Sequence, residues 1–274
     1  MRTKELLSKQ SVTDIFTVVF VLVDDYLQAA QRFGRFKLPA KRNQRGSYGE
    51  LMTIALVGEI LQQRNQGLWY LAVKSEYKEL FPVLPELSRF YRIGCNFERV
   101  YADLALLLAE HDGVYTIDSQ PLPVCKGVRY TRERQMSEAD SGRGGATKNF
   151  YGFRLHAVCT GTGSICRFGI APANEHDISV ARCLLDERYD DFYTIIGDKA
   201  YLGLGIYTPP KKNAKEPSFW CGFFAKARKS IEAVFSSLSR CRNLALQQLN
   251  SFRSVRASVC RKVAAHNLIL FLFN

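Results

Sequence analysis

The chain has 274 residues, of which 47% are hydrophobic, so it can bury a core and is not expected to be disordered. Lysine and arginine outnumber aspartate and glutamate by 38 to 26, which gives a net charge of +12 and a pI of about 9.4. This excess of positive charge favours a polyanionic partner and makes nucleic acid the first candidate.

The positive charge is concentrated in two blocks. Six basic residues and no acid lie between Gln31 and Arg45. Between Gly205 and Lys262 there are twelve basic residues and only two acids, Glu216 and Glu232. A solvated surface mixes the two signs, whereas a block of one sign gains from counterion release when it binds a phosphate backbone. Both blocks therefore predict contact with nucleic acid.

Cysteine usage and hydropathy indicate a cytoplasmic protein that has no membrane partner. The eight cysteines include no Cys-x-x-Cys pair and no histidine is placed to complete a zinc site, so we expect reduced, mostly buried thiols. The apolar run from Ile15 to Val23 is too short to span a bilayer and is followed at once by Asp24 and Asp25. We interpret it as a helix that faces the core.

The first part of the chain predicts helices. Their expected ranges are Ile15 to Phe33, Tyr48 to Arg64, Tyr70 to Leu80 and Leu87 to Glu110. Ser47, with Glu50 three residues later, is typical of a capping box at the start of the second helix. We therefore expect residues 1–110 to form an all-helical region, and its basic block makes DNA binding the expected role.

After His111 the pattern predicts an α/β domain over residues 111–274, with a sheet flanked by helices. The expected elements are a strand from Gly113 to Ile117, a hairpin of Phe150 to Thr160 and Ser164 to Ala171, a helix from Ile178 to Arg188, a strand from Phe192 to Ile196, and helices from Phe223 to Cys241 and from Phe252 to Leu272. The segment from Cys125 to Thr147 is expected to be a loop, either a solvated linker or a DNA contact through Lys126, Arg129, Arg132 and Arg134.

Three acidic residues form a candidate catalytic group. Asp118 and Asp198 each follow a short apolar strand, where α/β sheets present functional side chains. Either aspartate alone is more often a turn or helix-cap residue. Glu232 lies beside the apolar face of a helix within the basic block. Three carboxylates brought together would repel one another unless divalent cations lay between them, and two such cations are what metal-dependent phosphoryl transfer requires.

Six landmarks in the same order resemble those of bacterial insertion-sequence DDE transposases. They are Asp118 to Cys125 (DSQPLPVC), Tyr151 to His156 (YGFRLH), Asn174 to Asp177 (NEHD), Gly197 to Tyr201 (GDKAY), Thr208 to Asn213 (TPPKKN) and Arg228-x-x-x-Glu232. The resemblance is close over about residues 113–240. It implies an RNase H-like mixed sheet, in which the first three strands are antiparallel and the strand that bears the second aspartate lies parallel to the first.

The resemblance also implies an activity. Asp118, Asp198 and Glu232 would be the catalytic residues and would hold two Mg²⁺ or Mn²⁺ ions. The reaction would be cleavage at transposon ends followed by joining of the 3′-hydroxyl to target DNA. The partners would be the terminal inverted repeats, the target DNA and further copies of the chain. The expected DNA contacts are Arg228, Lys211, Lys212, Lys215, Lys126, Arg129, Arg42 and Arg45.

Two alternatives remain open at this stage. One is an RNase H-like nuclease or resolvase that only hydrolyses DNA. The other is a DNA-binding relic whose catalytic centre has decayed, which the short connection after Asp198 favours. Only Lys199 to Leu204 separate Asp198 from Gly205, and a parallel neighbour needs about a dozen residues. We therefore expect Gly205 to Thr208 to be a loop or an irregular edge, the Asp198 strand to lose a neighbour, and transposition to be weak or absent.

Overall fold

The computed structural model describes residues 10–38, 45–126, 136–143, 149–185, 194–210, 220–244 and 249–273. The chain forms two compact units. The first contains the residues up to Leu108 together with those from Ala257 onward, and the second is Ala109–Arg256. The sequence analysis had grouped residues 257–274 with the sheet, whereas their contacts group them with the N-terminal helices.

The first unit is helical in its described residues. Its helices are α1 (Val12–Arg32), α2 (Tyr48–Ile60), α3 (Gln66–Glu76), α4 (Leu87–Gly94) and α5 (Glu98–Leu107), with a 3₁₀ turn at Cys95–Phe97 between the last two. The capping box of Ser47 and Glu50 is confirmed, and a second box, formed by Ser11 and Asp14, opens α1. The final helix, α8 (Phe252–Phe273), begins in the second unit and continues into the first.

Helix α2 is the centre of the helical unit, because it is apolar around its whole circumference and buries every residue except Glu50. Gly58 is required there because a Cβ atom would lie 2.6 Å from the Trp69 ring. The Trp69 indole nitrogen in turn donates a hydrogen bond of 2.8 Å to the Ile54 carbonyl. The ring therefore packs directly on the backbone of α2.

A buried ion cluster joins α2 to α8 within this unit. The Glu59 carboxylate accepts hydrogen bonds from Arg261 Nε at 2.9 Å and from Lys262 Nζ at 3.1 Å. Burial alone would raise the pKa of Glu59, but the charges of Lys262 and Arg261 override it and hold the pKa below its usual range. The cluster therefore holds its charges at neutral pH.

We expect Glu59→Gln to destabilise the helical unit by about 3 kcal/mol, since it leaves two buried cations without their anion. Unfolding in urea, followed by Trp69 emission in a Trp220→Phe background, measures this loss. Because the folded-state pKa of Glu59 is depressed, the wild-type advantage is present above pH of about 4.5 and disappears as the pH falls through the folded pKa.

The matched control is Glu86→Gln, which breaks the exposed 3.1 Å pair between Glu86 and Lys74. We expect it to cost less than about 1 kcal/mol, because solvent already screens that pair. An equal loss in the two variants would show that burial of the Glu59 cluster contributes nothing.

The second unit is built on a sheet. Its elements are β1 (Val114–Lys126), β2 (Asp140–Gly142), β3 (Phe150–Thr160), β4 (Ile165–Pro172), α6 (Asp177–Leu185), β5 (Thr194–Ile196), a 3₁₀ turn at Lys199–Tyr201, α7 (Gly222–Arg242) and the start of α8. Strand β3 pairs antiparallel with β1 on one edge and with β2 and β4 on the other. Strand β5 pairs parallel with β1. These strand directions agree with the sequence-based expectation.

The expected end of the first strand at Ile117 is wrong, because β1 continues through Asp118 as far as Lys126. Its pairing with β5 covers only Val114 to Thr116, whereas its pairing with β3 covers nearly its full length. Beyond Thr116, Pro121 and Pro123 are compatible with the strand because proline is tolerated where one edge carries no ladder. The segment expected to be a loop after Cys125 also contains the short strand β2, which we did not predict.

The two faces of the sheet differ. Side chains alternate along β1, so Tyr115 and Ile117 point to one face and Thr116 and Asp118 to the other. The first face forms the apolar core, in which Tyr201 and residues of α6 are buried. On the second face, the Thr116 hydroxyl lies 3.4 Å from that of Ser230 on α7. Asp118 is therefore presented on the face that carries α7.

After the short connection that follows Asp198, the chain pairs with β5 through a single residue. Residues 204–206 bend, and Tyr207 forms an isolated parallel bridge with Ile196, which confirms the expected irregular edge. The expected loss of a neighbour is wrong. Tyr207 N–H donates to the Ile195 carbonyl, and Gly197 N–H donates to the Tyr207 carbonyl, both at 2.9 Å. One residue therefore covers the edge of β5 without a crossover helix.

We expect Tyr207→Pro to weaken this edge, because proline removes the N–H that the Ile195 carbonyl accepts and leaves that carbonyl without its partner. The expected loss of stability is about 1–3 kcal/mol. Amide exchange followed by NMR should show the Gly197 amide losing protection, whereas Tyr207→Phe, which keeps the backbone, should not change it. Unaltered Gly197 exchange in the proline variant would mean that the bridge does not hold β5.

Two further expectations concern the surface. All eight cysteines are free thiols, but only Cys159, Cys166 and Cys260 are buried, so the expectation of mostly buried thiols is wrong. Among the described residues, no helix has both the length and the apolar character needed to cross a membrane.

Candidate active site

Asp118 lies in the middle of β1, opposite Ala157 of β3. Its Oδ1 atom accepts a 2.7 Å hydrogen bond from the backbone N–H of Ser119, which fixes the carboxylate against its own strand. The pKa of Asp118 is raised to about 6, and burial is the largest cause; the negative charges of Asp198 and Asp177 also raise it, while the Ser119 hydrogen bond and Arg228 lower it. The carboxylate is thus held where its ionised form is disfavoured.

Asp198 follows β5 after a single glycine. A Cβ atom at Gly197 would lie 2.8 Å from Ile206, 3.0 Å from Tyr201 and 3.2 Å from Ile117, so glycine lets these three side chains pack closely against the backbone, and a larger residue would make them shift. The Asp198 carboxylate accepts a 2.7 Å hydrogen bond from Ala200 N–H and caps the 3₁₀ turn. The capping role that we weighed against a catalytic one is therefore present.

The sheet brings these two aspartates together. Thr116 pairs with Ile196 in the parallel register, so Asp118 and Asp198 stand two residues beyond the same rung of β1 and β5. Their closeness is visible in the contribution of Asp198 to the raised pKa of Asp118. Two like charges in a partly buried position attract a divalent cation, and carboxylate oxygens are the ligands that Mg²⁺ and Mn²⁺ prefer.

Glu232 lies on α7 beside its buried face, and its side chain is 52% exposed. It accepts a 2.9 Å hydrogen bond from Arg228, one helical turn earlier. The positive charge of Arg228 also lowers the pKa of Asp118, so this guanidinium lies within electrostatic reach of both carboxylates.

The described residues hold no group of three or more His, Cys, Asp or Glu side chains arranged to bind a metal ion. The donor set at Asp118 and Asp198 suits a divalent cation, whereas Glu232 is engaged with Arg228. The structure therefore brings two of the three expected carboxylates together, whereas the third, Glu232, is paired with a cation from its own helix.

A second polar group, which includes His156 and Asp177 of the sequence landmarks, lies near Asp118. Burial lowers the pKa of His156 to about 4, although Asp177, whose Oδ1 atom lies 3.7 Å from its Nδ1 atom, acts in the opposite direction. Burial raises the pKa of Tyr201, and so do Asp177, Asp118 and Asp198. The available sequence signal was the alternation in Tyr151 to His156, which puts Arg154 and His156 on one face of β3.

Most of the expected DNA contacts lie outside the described residues. These are Lys211, Lys212, Lys215, Arg129, Arg132, Arg134 and Arg42. Lys126 ends β1, and Arg45 is exposed in the helical unit. Arg45 lines an open cavity of about 420 Å³ together with Lys74, Lys78 and the Phe81–Leu84 segment. A cluster of cations therefore surrounds one of the predicted contact residues.

Comparison with known proteins gives one match. The family described as Transposase DDE domain matches residues 108–244, which is half of the chain and includes Asp118, Asp198 and Glu232. No curated protein and no solved structure matches the chain.

We expect Asp118→Asn to stabilise the metal-free protein by about 2 kcal/mol at pH 7, since it removes a carboxylate whose folded pKa is raised to about 6. An acid with a raised folded-state pKa destabilises the fold when it ionises. The advantage of the variant should therefore grow between pH of about 4 and 6 and stay level above that. Thermal unfolding at several pH values measures it.

The same variant tests metal binding. Added Mg²⁺ should raise the melting temperature of the wild type but not of Asp118→Asn, because a cation stabilises the state to which it binds. An equal Mg²⁺ response in both proteins would exclude Asp118 as a ligand.

Proposed function

We propose a specific reaction for this chain, which belongs to the Transposase DDE domain family: it cleaves DNA at transposon ends and joins the freed 3′-hydroxyl to target DNA. Asp118, Asp198 and Glu232 are its catalytic carboxylates, and its cofactor is a pair of Mg²⁺ or Mn²⁺ ions. The domain is RNase H-like, as the antiparallel β1, β3 and β4 and the parallel β5 support.

One observation carries this proposal. The parallel register of β1 and β5 sets Asp118 and Asp198 side by side, and Arg228 of α7 lies close enough to lower the pKa of Asp118. Strand β1, the end of β5 and helix α7, which are distant in sequence, thus bring charged groups close to one another. A structural ion network would pair opposite charges, whereas this edge sets two like charges together in a partly buried place.

The metal ions, when bound, supply a lowered pKa for the attacking oxygen and a counter-charge for the leaving oxygen. The chain's own residues provide the rest. Asp118 and Asp198 would hold the ions, and Glu232 would join them as a ligand if its carboxylate left Arg228. Arg228 would then be available for a DNA phosphate, which a planar guanidinium can bind with two parallel hydrogen bonds.

Binding of DNA is supported by charge. The net charge is +12, and Arg45 lies with Lys74 and Lys78 around one cavity of the helical unit. Basic side chains of this kind bind phosphates independently of sequence and fix the position of the duplex. Joining two transposon ends to one target requires more than one copy of the chain in the DNA complex.

The two alternatives make different predictions about products. A nuclease or resolvase would cut the ends but would not join them. A catalytically decayed relic would bind DNA alone, and the observation in its favour is that no three metal-binding side chains are gathered within the described residues. The bridge at Tyr207 argues against decay, because it restores support for β5 despite the short connection.

We expect Asp118→Ala, Asp198→Ala and Glu232→Ala each to abolish cleavage and joining while DNA affinity stays within about threefold of the wild type. Each variant removes a proposed metal ligand and none of the basic surface. The measurement uses a labelled duplex of the inverted-repeat end with Mg²⁺ or Mn²⁺, and it separates joined products, cut products and bound DNA.

The matched control is Glu175→Ala, which removes an exposed acid from the turn before α6. It should leave all three readouts unchanged. Near-normal cleavage by any one of the three alanine variants would remove that residue from the mechanism. A wild-type chain that binds the duplex but never cuts it would establish the decayed relic.

A further inference from the structure

We infer that Arg154 and Asp177, on the face of the sheet opposite Asp118, are positioning residues that hold the catalytic carboxylate in place through Ser119. This inference rests on the proposed role of Asp118 as a metal ligand. A contiguous set of contacts leads from α6 to the carboxylate, and each step is made by a named pair of atoms.

Arg154 is the centre of this set. Its guanidinium donates to the Ala173 carbonyl through Nε at 3.3 Å, to the Arg143 carbonyl through Nη2, and to the Ser119 hydroxyl through Nη1 at 3.2 Å. The same Nη1 atom lies 3.9 Å from Asp177 Oδ1. With all three nitrogens engaged, the planar group has one orientation, and it links β1 to the end of β4 and to the start of α6.

Ser119 connects Arg154 to Asp118. Its hydroxyl accepts the hydrogen bond from Arg154, while its backbone N–H donates to Asp118 Oδ1 at 2.7 Å. Ser119 and Asp118 point to opposite faces of β1 because side chains alternate along a strand. Arg154 therefore acts through the backbone of β1 and does not occupy the site where DNA and metal ions would bind.

The polar character of this face is costly to the fold. Among the described residues, both ring nitrogens of His156 and the Oδ1 atom of Asp177 are buried without a hydrogen bond. Apolar side chains in these places would continue the adjoining core of Tyr115, Ile117 and Val158. Buried polar groups that lack partners are rare in folded proteins, and such departures concentrate at functional sites.

The contacts of Asp177 are the reason for a polar group here. Asp177 lies in the first turn of α6 and faces both Arg154 at 3.9 Å and His156 at 3.7 Å. Its negative charge faces the same Nη1 atom of Arg154 that donates to the Ser119 hydroxyl. A purely structural ion pair would need only the contact between Arg154 and Asp177. Here the same guanidinium also donates a hydrogen bond to Ser119, the residue next to Asp118.

The test uses four substitutions in the full chain. Ser119→Ala removes the hydroxyl that Arg154 binds, and Ser119→Thr keeps it. Arg154→Lys keeps the charge but loses the planar group. Arg167→Lys is the matched control, since Arg167 donates to the Leu184 carbonyl and so anchors the same helix, α6.

The first readout is Mn²⁺ affinity without DNA, from the electron paramagnetic resonance of free Mn²⁺. We expect Ser119→Ala and Arg154→Lys each to weaken it about tenfold to a hundredfold, as residues that support a metal ligand typically do. Ser119→Thr and Arg167→Lys should stay within about threefold of the wild type. The double variant Ser119→Ala, Arg154→Lys should be no weaker than the worse single variant, because both remove one interaction.

The second readout is single-turnover cleavage. Its rate constant should fall about a hundredfold in Ser119→Ala and in Arg154→Lys, while the Kd for DNA stays unchanged. A wild-type Mn²⁺ affinity and a wild-type cleavage rate constant in Ser119→Ala would overturn the inference, and so would additive effects in the double variant. Asp118→Asn separates the two levels of the argument. If it loses Mn²⁺ while Ser119→Ala does not, only the positioning role fails; if it keeps Mn²⁺, the proposed ligand itself fails.

Discussion

Three parallel residue pairs between β1 and β5, from Val114–Thr194 to Thr116–Ile196, hold two like-charged carboxylates together. The site depends on this short ladder, because Asp118 and Asp198 stand just beyond its last rung and repel each other. Gly197 allows the close approach, and the Tyr207 bridge covers the far edge of β5. The sheet therefore supplies the free energy that keeps the two charges near one another.

This arrangement sets stability against function. Without a cation, burial and its carboxylate neighbours raise the pKa of Asp118 to about 6, so the ionised site destabilises the fold. Arg228 relieves part of this strain, since its charge lowers the pKa of Asp118 while it binds Glu232 at 2.9 Å. Arg228 is therefore a counter-ion for the Asp118 carboxylate that belongs to the protein itself. Metal ions would take over that counter-charge and release both Arg228 and Glu232.

The sequence predicted the element types and the strand directions well, because hydrophobic periodicity and the capping box of Ser47 are local signals. The sequence-based prediction was wrong at the positions where the structure depends on backbone pairing between separate segments of the chain. The continuation of β1 past Asp118 follows from its long ladder with β3, and the bridge at Tyr207 follows from a tight turn. For the candidate site, the sequence singled out the three acids, but it did not predict the side-chain pairing of Glu232 with Arg228, since rotamers depend on charges that come together only on folding.

The backbone contacts of the two aspartates are compatible with metal binding. Asp118 uses Oδ1 to accept the Ser119 N–H, and Asp198 uses Oδ1 to accept the Ala200 N–H. A carboxylate has two oxygens, so each residue keeps Oδ2 for a cation while a backbone amide fixes its orientation. A carboxylate that a backbone amide orients in this way would be a ligand oriented in advance. This explains why the structural and the catalytic interpretations of such a residue need not compete, and why positioning of Ser119 bears directly on Asp118.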